Sequence, residues 1–203
     1  QMQLLGESVR ARYFELIDEQ SKFPEEGYKG EYIIEIARIL EKRNGKSLRD
    51  SDITPFKDAA EQSIFHNIKE TLSSLGLIFD NFFNEYSLYE SGAIDNVVET
   101  LRQKNLIYEE EGATWFKATD AGRDMDRVLI KSSGEPTYRL PDIAYHFNKF
   151  NRGYDFMVDV LGADHIDAYP DVLAGIEQMG CNTEKVKIII HQFVTLTENG
   201  DPV

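Results

Sequence analysis

The stretch from Glu135 to Asp167 constrains the fold of this 203-residue chain more than any other. Its pattern predicts a short strand over Thr137 to Leu140, a helix over Asp142 to Phe150 and a buried strand over Phe156 to Leu161. A strand–helix–strand run of this kind is typical of an open α/β sheet, which binds its ligands at the carboxyl ends of the strands. We therefore expect a binding site at residues 162–165, where the second strand ends, together with the turn that opens the helix.

A change of pattern near residue 126 divides the chain into two parts. The first part is mainly helical and carries a β-hairpin over Leu106 to Lys117, and the apolar run Leu77 to Phe83 predicts a further strand. After residue 126 strands and helices alternate, which favours a mostly parallel sheet. Besides the short strand over 137–140, the strands predicted there are 127–131, 156–161 and 186–194. The expected organisation is an α/β protein with a helical part over 1–126 and an α/β part over 127–203.

The charge balance is strongly acidic, with 22 Lys and Arg against 36 Asp and Glu and a net charge of −14. Such a surface repels phosphate backbones and suits a cationic small ligand, although acidity also serves solubility alone. Hydrophobic residues make up 41% of the chain, but no window reaches the roughly 18 consecutive apolar residues of a membrane span. The single cysteine, Cys181, rules out an internal disulfide and suits a reducing compartment.

Tyr138 and Asp142 are the first candidate site residues, four positions apart across the predicted strand-to-helix turn. A carboxylate there could hold a planar guanidinium in a two-pronged contact, and an aromatic face could cover the same cation. The other interpretation is that Asp142 complements the positive end of the helix while Tyr138 belongs to the core. The pattern alone leaves both open.

Asp164, His165 and Asp167 form a second polar cluster, at the predicted strand end. They could form a carboxylate–imidazole pair or the metal site of a hydrolase. Neighbours on a strand point to opposite faces, however, which argues against a shared ion if the strand continues through Asp164 and His165. The aspartates near residue 124 alternate with arginines, which indicates an ion-paired link rather than a metal site. No glycine-rich phosphate loop or nucleophile elbow is present, so we predict no metal site and no complete catalytic set.

Six runs in the chain resemble arginyl-tRNA synthetase, a class I aminoacyl-tRNA synthetase, and together they extend over nearly all of it. They are LLGESVRARYFEL (4–16), EEGYKGEYI (25–33), FFNEYSLYESG (82–92), LRQKNLIYEEEGATWFK (101–117), DRVLIKSSGEPTYRLPDIAYHFNKFNRG (126–153) and GADH (162–165).

The resemblance implies the second half of a Rossmann-like class I catalytic domain over 127–203, preceded by a mainly helical insertion with a β-hairpin over 1–126. It implies a cytoplasmic parent enzyme that joins arginine to its tRNA through an arginyl-adenylate, using ATP with Mg²⁺. The family's His-x-Gly-His and Lys-Met-Ser-Lys type signatures do not occur in these residues. We therefore expect a middle portion that is inactive alone, binds no cofactor tightly and self-associates through its uncovered sheet edge. The alternative is a non-catalytic paralogue or binding module.

The resemblance also implies roles for individual residues. Tyr138 and Asp142 would line the arginine pocket, with the aspartate meeting the guanidinium. His165 would contact the substrate, Asp164 would support it, and Gln192 would approach the nucleotide. Members of the family often read GADHHGY, whereas this chain continues after His165 with Ile166 and Asp167, so contacts beyond His165 are expected to differ.

Overall fold

Contacts in the computed structural model, which describes residues 1–203, divide the chain between Phe82 and Phe83. The first unit contains three helices, and its short connections carry no strand. The helices are α1 (Met2–Leu16), α2 (Glu31–Asn44) and α3 (Thr54–Ser74).

The first unit is built around α1, which packs against both α2 and α3. Its core contains Val9 and Tyr13 from α1, Ile33 from α2 and Phe56 from α3, all fully buried. The Tyr13 and Phe56 rings meet edge to face with their centroids 5.3 Å apart. Helical spacing of apolar residues predicts these three helices, and the structure confirms them.

The strand predicted over the apolar run 77–83 is wrong, because these residues form turns and irregular backbone. Ile78 is 85% exposed, and Phe79 and Phe82 contact each other through their rings instead of entering a sheet. A dense apolar run satisfies a strand pattern, but a strand also needs a neighbouring backbone to pair with. No such partner lies beside this run.

The second unit contains four helices and seven strands in three separate sheets. The helices are α4 (Tyr86–Glu90), α5 (Ala93–Gln103), α6 (Arg139–Phe150) and α7 (Tyr169–Gln178). The strands are β1 (Ile107–Glu110), β2 (Ala113–Phe116), β3 (Arg127–Ile130), β4 (Met157–Gly162), β5 (Val186–His191), β6 (Thr197–Glu198) and β7 (Asp201–Pro202). Strands β1, β2 and β3 form an antiparallel sheet, β4 and β5 pair in parallel, and β6 and β7 pair antiparallel.

The predicted hairpin and the three strands predicted after residue 126 are all present, but their pairing differs from a mostly parallel sheet. Strand β3 pairs antiparallel with β2, so the parallel arrangement is limited to β4 and β5. The pairing of β2 with β3 joins residues on both sides of residue 126 into one sheet. The contacts divide the chain after residue 82, not at residue 126. The assignment of 1–126 and 127–203 to two parts of a family domain stays a prediction.

The short strand predicted over 137–140 is also wrong, because helix α6 already begins at Arg139. The Thr137 backbone N–H donates to the Leu129 carbonyl at 2.8 Å, but the chain then turns at Tyr138 into the helix. Pro141 fits this start, since proline is tolerated in the first turn of a helix, where its missing N–H has no partner to lose.

Helices α6 and α7 pack unusually closely because α7 carries Gly175 at the contact. A Cβ atom at Gly175 would lie 2.5 Å from the Ile143 Cδ1 atom, closer than packed carbon atoms approach. Ile143, Leu140 and Ile176 are almost completely buried at or near this junction. The close packing fixes the position of α6 relative to α7.

The β4–β5 sheet has two contrasting faces, because side chains alternate along each strand. One face carries the buried Met157 and the half-buried Asp159. The other carries Val158, Val160 and Ile189, all exposed, with Val160 exposed by 62%. Three exposed apolar side chains side by side leave this sheet face uncovered.

A buried carboxylate on α7, Asp171, joins three segments of the second unit. Its Oδ1 atom accepts from Arg123 Nε at 3.1 Å, and its Oδ2 atom accepts from Arg127 Nε at 2.7 Å and from Arg139 Nε at 3.0 Å. Arg127 also pairs with Asp124 at 3.0 Å, which confirms the predicted ion-paired link. Burial alone would raise the pKa of Asp171, but the three arginine hydrogen bonds outweigh it and lower the pKa.

Replacing Asp171 by asparagine should destabilise the second unit by about 3 kcal/mol, since it leaves three partly buried guanidinium groups without their counter-charge. Urea unfolding followed by the fluorescence of Trp115, the single tryptophan, measures this directly because Trp115 lies in β2 of the same unit. The matched control is Asp120→Asn, since Asp120 is exposed.

The effect should depend on pH in a defined direction. Because folding lowers the pKa of Asp171, its stabilisation is complete above the usual aspartate range and is lost as pH falls through the folded-state pKa. Asp171→Asn should lack this component of acid destabilisation. A change in unfolding free energy within about 0.5 kcal/mol of wild type would contradict the structural role.

Candidate functional site

The four principal predicted site residues lie in two short segments of the second unit. Tyr138 immediately precedes α6 and is exposed, whereas Asp142 lies in its first turn and is half-buried. Asp164 and His165 lie in a single 3-10 turn, Ala163–His165, that follows β4, and both are exposed.

Asp142 carries a half-buried carboxylate that accepts no hydrogen bond and forms no ion pair within the chain. Burial raises the pKa of Asp142, and nearby positive charge from His146, His165 and Lys149 opposes this only in part. A carboxylate removed from water without a partner is costly, so such groups are usually found where a ligand supplies the missing charge. Asp142 is therefore suited to receive a cation.

His165 lies close enough to Asp142 for its charge to act on that carboxylate. The start of α6 and the end of β4 are thus near enough to interact electrostatically, and their forming one site stays a prediction. The Asp164 carboxylate lies 3.8 Å from His165 Nε2.

The strand does not continue through Asp164 and His165, because β4 ends at Gly162 and the chain enters a 3-10 turn, so the argument from opposite strand faces does not apply. The turn does not support a metal site at Asp164, His165 and Asp167, however. No group of three or more His, Cys, Asp or Glu side chains is placed to hold a metal ion. Asp167 is exposed and forms no ion pair.

Tyr138 is 56% exposed, so the interpretation as a core residue is wrong. Its ring lies against the guanidinium of Arg139, with the Arg139 Cζ atom 4.8 Å from the ring centroid. Its backbone carbonyl accepts from the Asp142 N–H at 3.2 Å, as expected for one turn of helix. Arg139 therefore occupies one face of the Tyr138 ring, and a further cation could contact only the opposite face.

Gln192 follows β5 directly and is exposed. The parallel register pairs Gly162 with His191, so Gln192 lies at the same edge of the sheet as the 3-10 turn that carries His165. Its predicted role towards a nucleotide stays a prediction.

A buried cluster around Asp159 was not predicted from the sequence. Asp159 accepts hydrogen bonds from His146 Nε2 at 3.0 Å, from Lys149 Nζ and from the Tyr169 hydroxyl. Burial alone would raise the pKa of Asp159, but these bonds lower it strongly, and the pKa of Tyr169 is raised by burial and by Asp159. Two signals were available: His146 and Lys149 share a face of α6 by their spacing, and Asp159 interrupts an apolar strand.

No helix of the chain has the length and apolar character that crossing a membrane requires.

A cleft of about 490 Å³ lies between α2 and α3 in the first unit, and no predicted site residue lines it.

Asp142→Asn should leave the chain at least as stable as wild type at pH 7. Because burial raises the pKa of Asp142 on folding, its ionisation costs stability as pH rises from about 4 through the folded-state pKa. Asparagine removes this cost, so the difference between variant and wild type should grow over that pH interval. Urea unfolding at several pH values, followed by Trp115 fluorescence, measures it.

The matched control is Asp95→Asn, since Asp95 is an exposed acid in the first turn of α5. If Asp142 served mainly to complement the helix terminus, Asp142→Asn would instead lower stability at pH 7.

Comparison with known proteins places this geometry in a family. The family model described as tRNA synthetases class I (R), catalytic domain, matches residues 30–202. An arginine–tRNA ligase of Desulfotalea psychrophila is 55% identical over 204 residues, and one of Chlorobaculum tepidum is 52% identical over 209 residues. Both alignments cover 100% of this chain, which spans 37% and 38% of the length of these relatives.

Two solved structures share the fold. A crystal structure named as a candidate arginyl-tRNA synthetase of Campylobacter jejuni superposes with a TM-score of 0.86 at 33% identity, over 100% of this chain and 45% of that one. The arginyl-tRNA synthetase of Plasmodium falciparum superposes with a TM-score of 0.65 at 14% identity, over 95% of this chain and 34% of that one. Because the family model covers most of its residues, the chain belongs to the arginyl class I tRNA synthetases.

Proposed function

We propose that this chain forms part of the arginine pocket of an ATP-dependent arginine–tRNA ligase. The observation that carries the proposal is the unpaired, half-buried carboxylate of Asp142, on which the charge of His165 acts from the 3-10 turn that follows β4. The family membership supplies the ligand, since relatives of this chain are named arginine–tRNA ligases. Asp142 is the group that would meet the guanidinium, with Tyr138, His165 and Asp164 around it.

The chemistry of Asp142 suits discrimination by charge and shape. A guanidinium is planar and presents paired N–H donors, so one carboxylate can accept two hydrogen bonds from it. A neutral amino acid would leave the half-buried carboxylate without a partner, which is more costly than losing one favourable contact. The site would therefore reject uncharged side chains more strongly than its size alone suggests.

We place the steps that handle ATP and Mg²⁺ outside these 203 residues. The described residues include no set of carboxylates arranged for a metal ion and no glycine-rich phosphate loop, and Gln192 is the one candidate on the nucleotide side. The net charge of −14 likewise favours tRNA contacts from other parts of the parent protein. In this proposal β4, α7 and β5 belong to the second half of a Rossmann-like catalytic domain in a cytoplasmic enzyme.

In the full-length parent, Asp142→Ala should lower kcat/KM for arginine by an amount equivalent to about 2–4 kcal/mol, because a charged hydrogen-bonding partner is lost. Arginine-dependent ATP–pyrophosphate exchange measures this, and the KM for ATP should change little. Asp95→Ala is the matched control, since it removes an exposed acid from the first turn of another helix.

Unchanged arginine kinetics in Asp142→Ala would remove Asp142 from the pocket. The isolated 203-residue chain should show no exchange, and activity from it would contradict the proposal of an incomplete segment. A full-length parent that binds arginine but performs no exchange would favour the non-catalytic binding module.

The isolated chain should self-associate through the exposed apolar face of β4 and β5, since uncovered sheet faces tend to be covered by another chain. Sedimentation should show species larger than 23.3 kDa at high concentration. Val160→Lys should shift the distribution towards monomer, whereas Ile39→Lys, which places the same charge on an exposed position of α2, should not. A wild-type chain that stays monomeric would disprove this association.

A further inference from the structure

Asp142 in α6 and Asp159 in β4 interact with the same neighbouring side chains, but only the Asp159 carboxylate is hydrogen-bonded to them. Asp159 on β4 accepts hydrogen bonds from His146, Lys149 and Tyr169, whereas the Asp142 carboxylate accepts none. The charges of His146 and Lys149 nevertheless act on Asp142, and Asp142 in turn acts on the Tyr169 hydroxyl. Of the groups that interact electrostatically with Asp142, His146, Lys149 and Tyr169 are bound by Asp159, whereas His165 is not.

His146 is held at both ring nitrogens. Its Nδ1 atom lies 2.7 Å from the backbone carbonyl oxygen of Asp142, and its Nε2 atom lies 3.0 Å from Asp159 Oδ2. The residue is 6% exposed, and its ring meets the Tyr169 ring edge to face at 5.4 Å. On an isolated helix, residues four apart such as Asp142 and His146 would pair through their side chains. Here Asp159 directs the imidazole away from the Asp142 carboxylate.

Lys149 is the permanent cation of this cluster. It lies two turns after Asp142 on the same face of α6, and its ammonium group donates to Asp159 Oδ1. The charge of Lys149 acts on Asp142, so an ammonium group released from Asp159 would compete there with a dissolved cation.

We propose that Asp159 is a positioning residue for arginine recognition, which binds Lys149, His146 and Tyr169 so that Asp142 stays free for the incoming guanidinium. This inference rests on the proposed function, because it assumes that arginine binds at Asp142. Asp159 does not touch arginine itself. Its role is to keep an intramolecular cation out of the place that the substrate's cation occupies.

The test is Asp159→Asn in the full-length parent, with arginine and ATP kinetics measured by ATP–pyrophosphate exchange. Asparagine keeps the size of the side chain but removes the charge that holds Lys149. The KM for arginine should rise by about tenfold or more, while the KM for ATP stays within about twofold, since only the free state of Asp142 is affected. Asp155→Asn is the matched control, because Asp155 is exposed just before β4.

A second variant separates positioning from simple structural support. Asp159→Asn combined with Lys149→Met removes the released cation, so the KM for arginine should return most of the way to the value of Lys149→Met alone. A structural defect would not be rescued in this way, because the double variant has lost still more hydrogen bonds. Thermal melting of each variant accompanies the kinetics.

Three results would overturn the inference. They are an unchanged KM for arginine in Asp159→Asn, an equal rise of the KM for arginine and ATP, and a double variant no better than Asp159→Asn. Failure of the proposed function is distinguishable, because then the wild-type parent would not use arginine or Asp142→Ala would leave its arginine kinetics unchanged. If both of those controls behave as expected, a negative result counts against Asp159 alone.

Discussion

The buried carboxylate of Asp171 is the interaction on which the geometry of the second unit depends. It joins α7 to Arg123, to Arg127 at the start of β3 and to Arg139 at the first position of α6. Arg139 lies three residues before Asp142, so the same pairing fixes the turn of helix that carries the candidate site. Close packing at Gly175 holds the rest of α6 against α7. A helix held in this way can keep the unpaired Asp142 carboxylate at a fixed position, because the surrounding residues do not shift to cover it.

Three aspartates of this unit show how charge is distributed between structure and function. Asp171 and Asp159 each accept hydrogen bonds from three donors, and folding lowers the pKa of both. Asp142 has no donor, and folding raises its pKa. Structural carboxylates in protein interiors are paired, because an unpaired charge there costs stability. Asp142 is the exception among these three, and a bound ligand would account for its missing partner.

The sequence predicts the helices and strands better than it predicts the contacts between them. Helix α6, strands β4 and β5 and the hairpin follow from local periodicity and turn residues, and local patterns determine such elements directly. The strands expected at 77–83 and 137–140 do not form, because pairing partners are set by the whole fold. Asp171 and Arg123 are 48 residues apart, so nothing local marks them as a pair. The sequence marks Asp142 by its place at the start of a predicted helix, but only burial and hydrogen-bond distances show that it lacks a partner.

The candidate site is open because its walls come from one sheet edge and one helix start. His165 and Tyr138 are exposed, and the neighbouring face of β4 and β5 is apolar and uncovered. Asp142 is only half-buried, so water still screens part of its attraction for a cation, which would bind less strongly there than in a closed pocket. Strong and selective arginine binding therefore requires further protein to close over Asp142 and exclude water. This chain spans 37% of the length of a relative that aligns with all of it, so that relative contains many further residues. Residues of that kind could exclude water from Asp142 and so make the binding of a cation stronger and more selective.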